Sequence, residues 1–296
     1  MADLEKLDCN VGPIHFIRGS SVAYCVKLRK HHDPGVEFMM YRYRDRLSHF
    51  FDIGANVGLF SILASRMTDA EAKIVAFEPD EDNIKGFRKN MDELSLGNIW
   101  LEEVAVSNNG DPLRLGKVDC GLARKSSVEM KTIACRTIDS FVAEALIEPT
   151  FIKIDVEGFE WEVIEGTIAT LSKNCAIVEL EFSYRDLGHK IAQIREVFSP
   201  NQWVLECHLR DFDRDLLLDC PILRPIALRA KHIETVQVFW PLICENFAQL
   251  DALFGLLQRS SRQDPSRKWE LLFVPRDHYR PLALGVEEGF EVREEL

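Results

Sequence analysis

The sequence predicts an α/β fold in which helices cover both faces of a mainly parallel β-sheet. Two observations predict it. From residue 50 onwards, short apolar runs typical of buried strands alternate with segments whose apolar residues recur at helical spacing. Glycine, proline and asparagine lie between these segments, where the chain must turn. Strands that alternate with helices form βαβ units, which set the strands side by side in a parallel sheet.

The first two strand–helix units are the clearest part of the pattern. Residues 50–53 predict a buried strand, and a helix follows Gly58. Residues 73–77 predict the second strand. Asp80 is suited to cap the next helix, and Gly97 with Asn98 is suited to end it.

The later elements follow from the same periodicities. They are a strand at 99–106, an inserted hairpin within 111–136, a helix at 138–146, a strand at 151–156, a helix with Trp161, Ile164, Ile168 and Leu171 on one face, a strand at 176–182, a helix at 187–198 and a strand at 203–209. Towards the end of the chain we expect a helix at 247–257, a solvated loop at 259–268 and a late strand at 269–275.

These elements divide the chain into three predicted regions. Residues 1–47 are expected to form a lead-in segment without a clear helical pattern, residues 48–210 the ligand-binding core, and residues 211–296 an extension that completes the sheet and covers the cleft.

Composition excludes several classes of protein. Hydrophobic residues make up 46% of the 296 residues and charged residues 28%, which argues against disorder. The net charge of −12 argues against nucleic-acid binding. No apolar run reaches the roughly 18 residues of a membrane span, and the first residues lack a secretory signal pattern, so we expect a cytoplasmic location. The eight cysteines are scattered singles, which indicates reduced thiols and no zinc site.

The turn after the first strand carries the first motif, Asp52-Ile-Gly54-Ala-Asn56-Val-Gly58. Glycines permit a tight turn and the close approach of a ligand to the backbone. The order D-x-G-x-x-x-G differs from the G-x-G-x-x-G that binds a diphosphate. An aspartate ahead of the first glycine would repel a diphosphate and suits a cationic ligand, such as the sulfonium and ammonium of S-adenosylmethionine. A tight strand-to-helix connection is the structural alternative.

The next two strands end in residues that suit an adenosine. Glu78 can accept hydrogen bonds from both ribose hydroxyls, or it can serve only as a carboxylate near a helix N-terminus. Asn83 can reach the ribose or simply lie in the first helical turn. Val104 and Ala105 offer a small apolar surface for adenine, or they are ordinary strand core.

The densest polar group begins in the strand at 151–156, where Lys153, Asp155, Glu157 and Glu160 lie within eight residues. A central strand rarely carries charges unless they are paired or functional. Lys153 and Asp155 share a face by the period of two, and a structural ion pair is the alternative to a catalytic one. Glu181, on the following strand, would bind substrate or pair with Lys153.

Four segments of this chain, at 50–64, 74–91, 101–110 and 151–166, resemble the FkbM-type methyltransferases. The stretch "KIDVEGFE" is the most telling of them. The resemblance implies a Rossmann-like class I methyltransferase fold with a seven-stranded sheet and an antiparallel late strand. It also implies S-adenosylmethionine as cofactor and O-methylation of hydroxyls on sugars or natural products. Carried over to this sequence, it assigns the cofactor to Asp52, Gly54, Asn56, Gly58, Glu78, Asn83 and Asp155, and it makes Ser126 and Ser127 the serine pair of an inserted loop, which we expect to bind substrate.

The predicted reaction is an in-line displacement, in which the protein mainly aligns the reacting atoms. We expect Asp155 or Glu157 to remove the proton of the acceptor hydroxyl, with Lys153 orienting the pair. No metal is expected, because no histidine joins the carboxylates and two of them lie close to a lysine. A divalent metal bound by Asp155, Glu157 and Glu181 is the alternative. A nicotinamide-dependent oxidoreductase and a non-catalytic protein that binds an adenosine ligand are the alternatives. The acceptor is expected to be a small molecule or glycan, and the sequence leaves homo-oligomer formation open.

Overall fold

The computed structural model describes residues 3–118, 121–123, 130–173, 175–209 and 240–280. The chain divides into two compact units, Met1–Ile177 and Val178–Leu296. These limits differ from the three regions expected from the sequence, whose boundaries stay predictions.

The elements of the first unit begin with a hairpin and two helices that the sequence pattern did not predict. The strands are β1 (Leu4–Cys9), β2 (Gly12–Ile17), β3 (His49–Ile53), β4 (Lys73–Phe77), β5 (Ile99–Glu102), β6 (Ala105–Val106), β7 (Leu113–Val118), β8 (Gly121–Ala123), β9 (Met130–Ile133), β10 (Cys135–Arg136) and β11 (Phe151–Ile154). The α-helices are α1 (Ser21–Arg29), α2 (Pro34–Arg42), α3 (Leu59–Met67), α4 (Glu81–Leu94), α5 (Ile138–Ala145), α6 (Glu160–Glu165) and α7 (Ile168–Leu171).

The central strands of this unit run in the order β11-β3-β4-β5, and every neighbouring pair is parallel. Side chains of a strand alternate between the two faces of a sheet. Phe51 of β3 packs edge-on against Phe141 of α5, with ring centroids 5.5 Å apart. The next residue, Asp52, accepts a hydrogen bond from Ser61 of α3. Helices therefore cover both faces, as predicted.

Two predicted elements of this unit are divided in the structure. The strand expected at 99–106 is split, because β5 pairs with β4 whereas β6 pairs with β10. The helix expected to carry Trp161 and Leu171 is two short helices, α6 and α7.

The insertion predicted within 111–136 is a three-stranded antiparallel sheet in the order β8-β7-β9. Leu115 of this sheet packs in a small apolar cluster with Ala105 and Phe159. Because Phe159 follows β11, the insertion supports the turn at the end of that strand.

The second unit contains the strands and helices that close the chain. They are β12 (Ile177–Ser183), α8 (Tyr184–Leu187), α9 (Ile191–Val197), β13 (Trp203–Leu209), β14 (Trp240–Cys244), α10 (Phe247–Gln263) and β15 (Lys268–Pro275). The late strand β15 is antiparallel to both β12 and β13, as the resemblance implies. The helix α10 continues through the first half of the loop expected at 259–268. Within this stretch Ser260 is buried and accepts a hydrogen bond from Arg267.

The described part of the chain contains no helix that is both long and apolar enough to cross a membrane. The six cysteines within it are free thiols.

Candidate active site

The predicted polar residues meet at the carboxyl ends of β3 and β11. The strand order reverses here, because β3 lies between β4 on one side and β11 on the other. Ligands of open α/β sheets bind beyond the carboxyl ends of strands at such a reversal. Lys153 of β11 lies opposite Asp52 of β3 in the pairing register. Two motifs that are far apart in the sequence therefore form one site.

Both glycines of the loop after β3 are required by the protein's own atoms. Gly54 and Gly58 have φ of +85° and +88°, in the left-handed region. A Cβ on Gly54 would lie 1.8 Å from the backbone oxygen of Asp155, and one on Gly58 would lie 2.2 Å from the ring of Phe87. The sequence predicts that these glycines let a ligand approach the backbone. The structure shows that contacts within the chain already require glycine at both positions, and ligand contact by this loop stays a prediction.

Hydrogen bonds from the second strand hold this loop. The amides of Gly54 and Ala55 donate to the carbonyl of Phe77, at 2.9 and 3.1 Å. Asn56 also adopts a left-handed conformation (φ 53°), and its amide donates to Oε2 of Glu78 at 2.8 Å. Left-handed backbone at a non-glycine residue persists only where its surroundings impose it. The end of β4 therefore helps to impose the conformation of the loop.

Glu78 is buried and accepts hydrogen bonds from within the chain. The amide of Asp80 donates to Oε1 at 2.8 Å, and the side-chain amide of Asn83 donates to the same oxygen at 3.4 Å. Burial raises the pKa of Glu78 to about 8, although the bonds from the Asp80 and Asn56 amides oppose the rise. A carboxylate can accept about four hydrogen bonds. The structural role is thus observed, and ribose binding by Glu78 and Asn83 stays a prediction.

The charged side chains of the site form a cluster around Lys153. Its Nζ lies 3.0 Å from Oδ2 of Asp155, which confirms that the two residues share a face. Lys153 is only 2% exposed, whereas the Asp155 side chain is 22% exposed. Burial raises the pKa of Asp52, and the charge of Lys153 and the hydrogen bond from Ser61 oppose that rise. Two carboxylates and one ammonium therefore share this corner of the sheet.

The Lys153 ammonium also contacts an aromatic ring that the sequence did not single out. It lies 5.0 Å from the ring centroid of Phe60, in the first turn of α3, within the range of a cation–π interaction. On the other side of the cluster, the Ser61 hydroxyl donates to Oδ2 of Asp52 at 2.6 Å. Phe60 and Ser61 lie in a helix whose sequence pattern predicts ordinary core residues. Only the charged residues that they contact, Lys153 and Asp52, could have indicated a role in the site.

A strained turn follows Asp155. Glu157 and Gly158 have positive φ of 53° and 98°. Glu160 is buried, and its Oε1 accepts from the Gly158 amide at 2.9 Å and from the Val156 amide at 3.4 Å. The sequence places Glu160 in the polar group but predicts no role for it. The structure makes it the residue that fixes the turn.

The other predicted site residues have mixed outcomes. Ala105 is buried and Val104 is half-buried, so both remain candidates for the adenine surface. Within the second unit, Glu181 forms an ion pair with Lys268 at 2.7 Å, and its substrate role stays a prediction. Ser126 and Ser127 lie outside the described residues. Among the described residues, no three His, Cys, Asp or Glu side chains are arranged to hold a metal ion.

Comparison with known proteins identifies the family. The model of the methyltransferase FkbM domain matches residues 52–207, which is more than half of the chain. The chain belongs to this family. The match confirms the resemblance drawn from the four sequence segments, and it spans every predicted site residue that the structure describes.

A curated relative is the hexuronic acid methyltransferase AglP of Haloferax volcanii. It is 30% identical over 137 residues, a match that covers 44% of this chain and 54% of the relative. This chain thus spans about half the length of that relative. A crystal structure of methyltransferase FkbM from Methylobacillus flagellatus is 20% identical, with a TM-score of 0.39, over 53% of this chain and 38% of the other. The O-methyltransferase TomG from Streptomyces achromogenes, solved in complex with SAM, is 11% identical, with a TM-score of 0.35, over 82% and 80% of the two chains.

We expect Gly58→Ala to destabilise the protein by about 3 kcal/mol, since it combines backbone strain with overlap against a fully buried ring. Gly19→Ala is a matched control, because Gly19 has a similar φ of +78° and no atom within 4 Å of an added Cβ. The control should lose about 1 kcal/mol. Urea unfolding of both variants measures the difference, and equal losses would contradict the role of Phe87.

We expect Glu78→Gln to change the pH dependence of stability. A buried carboxyl with a raised pKa holds a proton in the folded state that the unfolded state releases. Between pH 5 and pH 8 the wild type should therefore lose unfolding free energy relative to Glu78→Gln, by up to about 1.4 kcal/mol per pH unit. Denaturant unfolding at several pH values tests this, and parallel curves for the two proteins would contradict it.

Proposed function

We propose that this FkbM-family chain is an S-adenosylmethionine-dependent methyltransferase that methylates an oxygen of a sugar, glycan or related natural product. The observation that carries the proposal is the cluster of Asp52, Lys153 and Asp155 at the strand-order reversal. Carboxylates at this position favour a cationic ligand and oppose a diphosphate.

The residues present fit the proposed cofactor. Oδ1 of Asp52 is buried and accepts no hydrogen bond within the described residues. A buried carboxylate oxygen that lacks a donor is stabilised by positive charge nearby. Glu78, with Asn83 beside it, supplies acceptor capacity for ribose hydroxyls one strand away. Asp52 itself has no exposed surface, so we expect its negative charge to stabilise the ligand electrostatically without direct contact.

When bound, S-adenosylmethionine supplies a methyl group attached to a sulfur that leaves as a neutral thioether. The task of the chain is then to align the acceptor oxygen and, for a hydroxyl acceptor, to remove its proton. Asp155 is the better candidate base, because its side chain is partly exposed while Lys153 fixes one of its oxygens. Glu157 is the second candidate, on a backbone held in a left-handed conformation by the turn.

The acceptor class is supported by the similarity to the hexuronic acid methyltransferase of Haloferax volcanii. A hexuronic acid offers two kinds of oxygen. A hydroxyl must lose its proton to become a good nucleophile, whereas a carboxylate is already ionised at neutral pH. Asp155 therefore has a catalytic role as a base only if the acceptor is a hydroxyl.

Calorimetric titration with S-adenosylhomocysteine and with NAD should separate the proposal from its alternatives. We expect the first ligand to bind with a Kd in the micromolar range or below and NAD to show no heat of binding. Binding of NAD alone would favour the oxidoreductase. Binding of S-adenosylhomocysteine without methyl transfer to any glucuronate or galacturonate glycoside would favour a protein that binds without turnover.

We expect Asp155→Asn to lower turnover at least 100-fold while changing the Kd of S-adenosylhomocysteine less than threefold, because it removes a base without removing a cofactor contact of comparable strength. Transfer of labelled methyl to glucuronate glycosides measures turnover. Asp92→Asn is the control, since Asp92 is exposed on α4 and the substitution makes the same change of charge. Glu157→Gln, assayed in parallel, separates the two candidate bases.

The chemistry of the product provides an independent check on this assignment. A methyl ether survives mild alkali, whereas a methyl ester is hydrolysed. An alkali-labile product made at full rate by Asp155→Asn would contradict Asp155 as a base and indicate a carboxylate acceptor.

A further inference from the structure

The N-terminal hairpin β1–β2 lies against α4, which in turn lies against the loop at residues 54–58. Three residues on one face of α4 make these contacts, namely Gly86, Asn90 and Glu93. Residues spaced by three or four positions share a helix face. This stripe of α4 therefore joins the hairpin to the loop that follows β3.

Asn90 makes the central connection. It is 1% exposed, and its Oδ1 accepts from the amide of His15 in β2 at 2.7 Å. Its side-chain amide donates to the carbonyl of His15 at 3.0 Å and to the carbonyl of Val57 at 3.0 Å. Both donor hydrogens and one acceptor site of the amide are thus engaged with backbone groups. One side chain binds the hairpin and the loop at once.

The contacts on either side of Asn90 reinforce this connection. A Cβ on Gly86 would lie 3.0 Å from Cγ1 of Val57 and 3.5 Å from Cδ2 of Leu4 in β1. A side chain at this close junction would require Val57 to shift by a few tenths of an ångström. At the other end, Glu93 forms an ion pair with Lys6 of β1 at 2.6 Å and a hydrogen bond with the ring of His15 at 2.8 Å. The hairpin is therefore fixed to α4 along the length of the stripe.

The loop requires such support. Three of its five residues, Gly54, Asn56 and Gly58, have positive φ. Its first half is held by Phe77 and Glu78, as described above. In its second half, the Asn90 bond to the carbonyl of Val57 is made by a residue outside β3 and β4.

We propose that Asn90 is a positioning residue for cofactor binding, and that the N-terminal hairpin acts through it to hold the loop at 54–58 in its binding conformation. The inference rests on the proposed function, in which this loop receives S-adenosylmethionine. It assigns part of the cofactor affinity to residues that do not touch the cofactor.

The first test compares two variants that each remove hydrogen bonds between a side chain and the backbone. Asn90→Ala should weaken S-adenosylhomocysteine binding at least tenfold by calorimetry. Thr150→Val is the matched control, since Thr150 bonds to the backbone of Arg46 and His49 at the opposite end of β11. We expect both variants to lower Tm, and the control to bind the ligand within twofold of wild type. A Kd for Asn90→Ala within twofold of wild type would overturn the inference.

The second test avoids the loss of stability. Gly86→Ala improves helix propensity but pushes on Val57, so it should weaken ligand binding at least threefold without a matching fall in Tm. Gly97→Ala, where an added Cβ meets nothing within 4 Å, should leave the Kd unchanged. Unchanged binding by Gly86→Ala would overturn the inference even if Asn90→Ala does not fold. Failure of the wild type to bind S-adenosylhomocysteine would instead overturn the proposed function and this inference together.

Discussion

The site depends on the parallel pairing of β3 with β11. This register sets Lys153 beside Asp52 and brings the backbone oxygen of Asp155 so close to Gly54 that no side chain fits between them. A charged side chain in a central strand is unfavourable unless a partner of opposite charge accompanies it. Here the partners come from both strands, so the pairing and the charge cluster stabilise each other. A shift of one residue in this register would move Lys153 to the other face of the sheet.

Features of the fold that rest on local chemistry could be predicted from the sequence. Asp80 caps α4 by accepting from the amides of Asp82 and Asn83, as its position before an amphipathic run indicates. β4 has the predicted limits because its apolar residues are bounded by turn residues. The ion pair of Lys153 and Asp155 follows from the two-residue period of a strand.

Features that depend on distant partners could not be predicted in this way. The segment at 99–106 is predicted as one strand, yet β5 and β6 pair with different strands. The polar residues after 257 resemble a loop, but Arg267 binds Ser260 and the helix continues. The sequence pattern identifies the glycines of the loop, but it does not show that Asp155 and Phe87 leave no room for a side chain there. Both of these residues come from remote parts of the chain. Asn90 gave no signal, since a single asparagine in an amphipathic helix is ordinary.

The hairpin at the start of the described chain has a practical consequence for the design of shortened proteins. The family match begins at residue 52, inside β3 and after the whole of β1 and β2. A fragment trimmed to that match would lack the hairpin, so it would expose Asn90 and the face of α4 that the hairpin covers, and it would remove the first three residues of β3. Domain limits drawn from family similarity alone would thus exclude residues that complete the core of this protein.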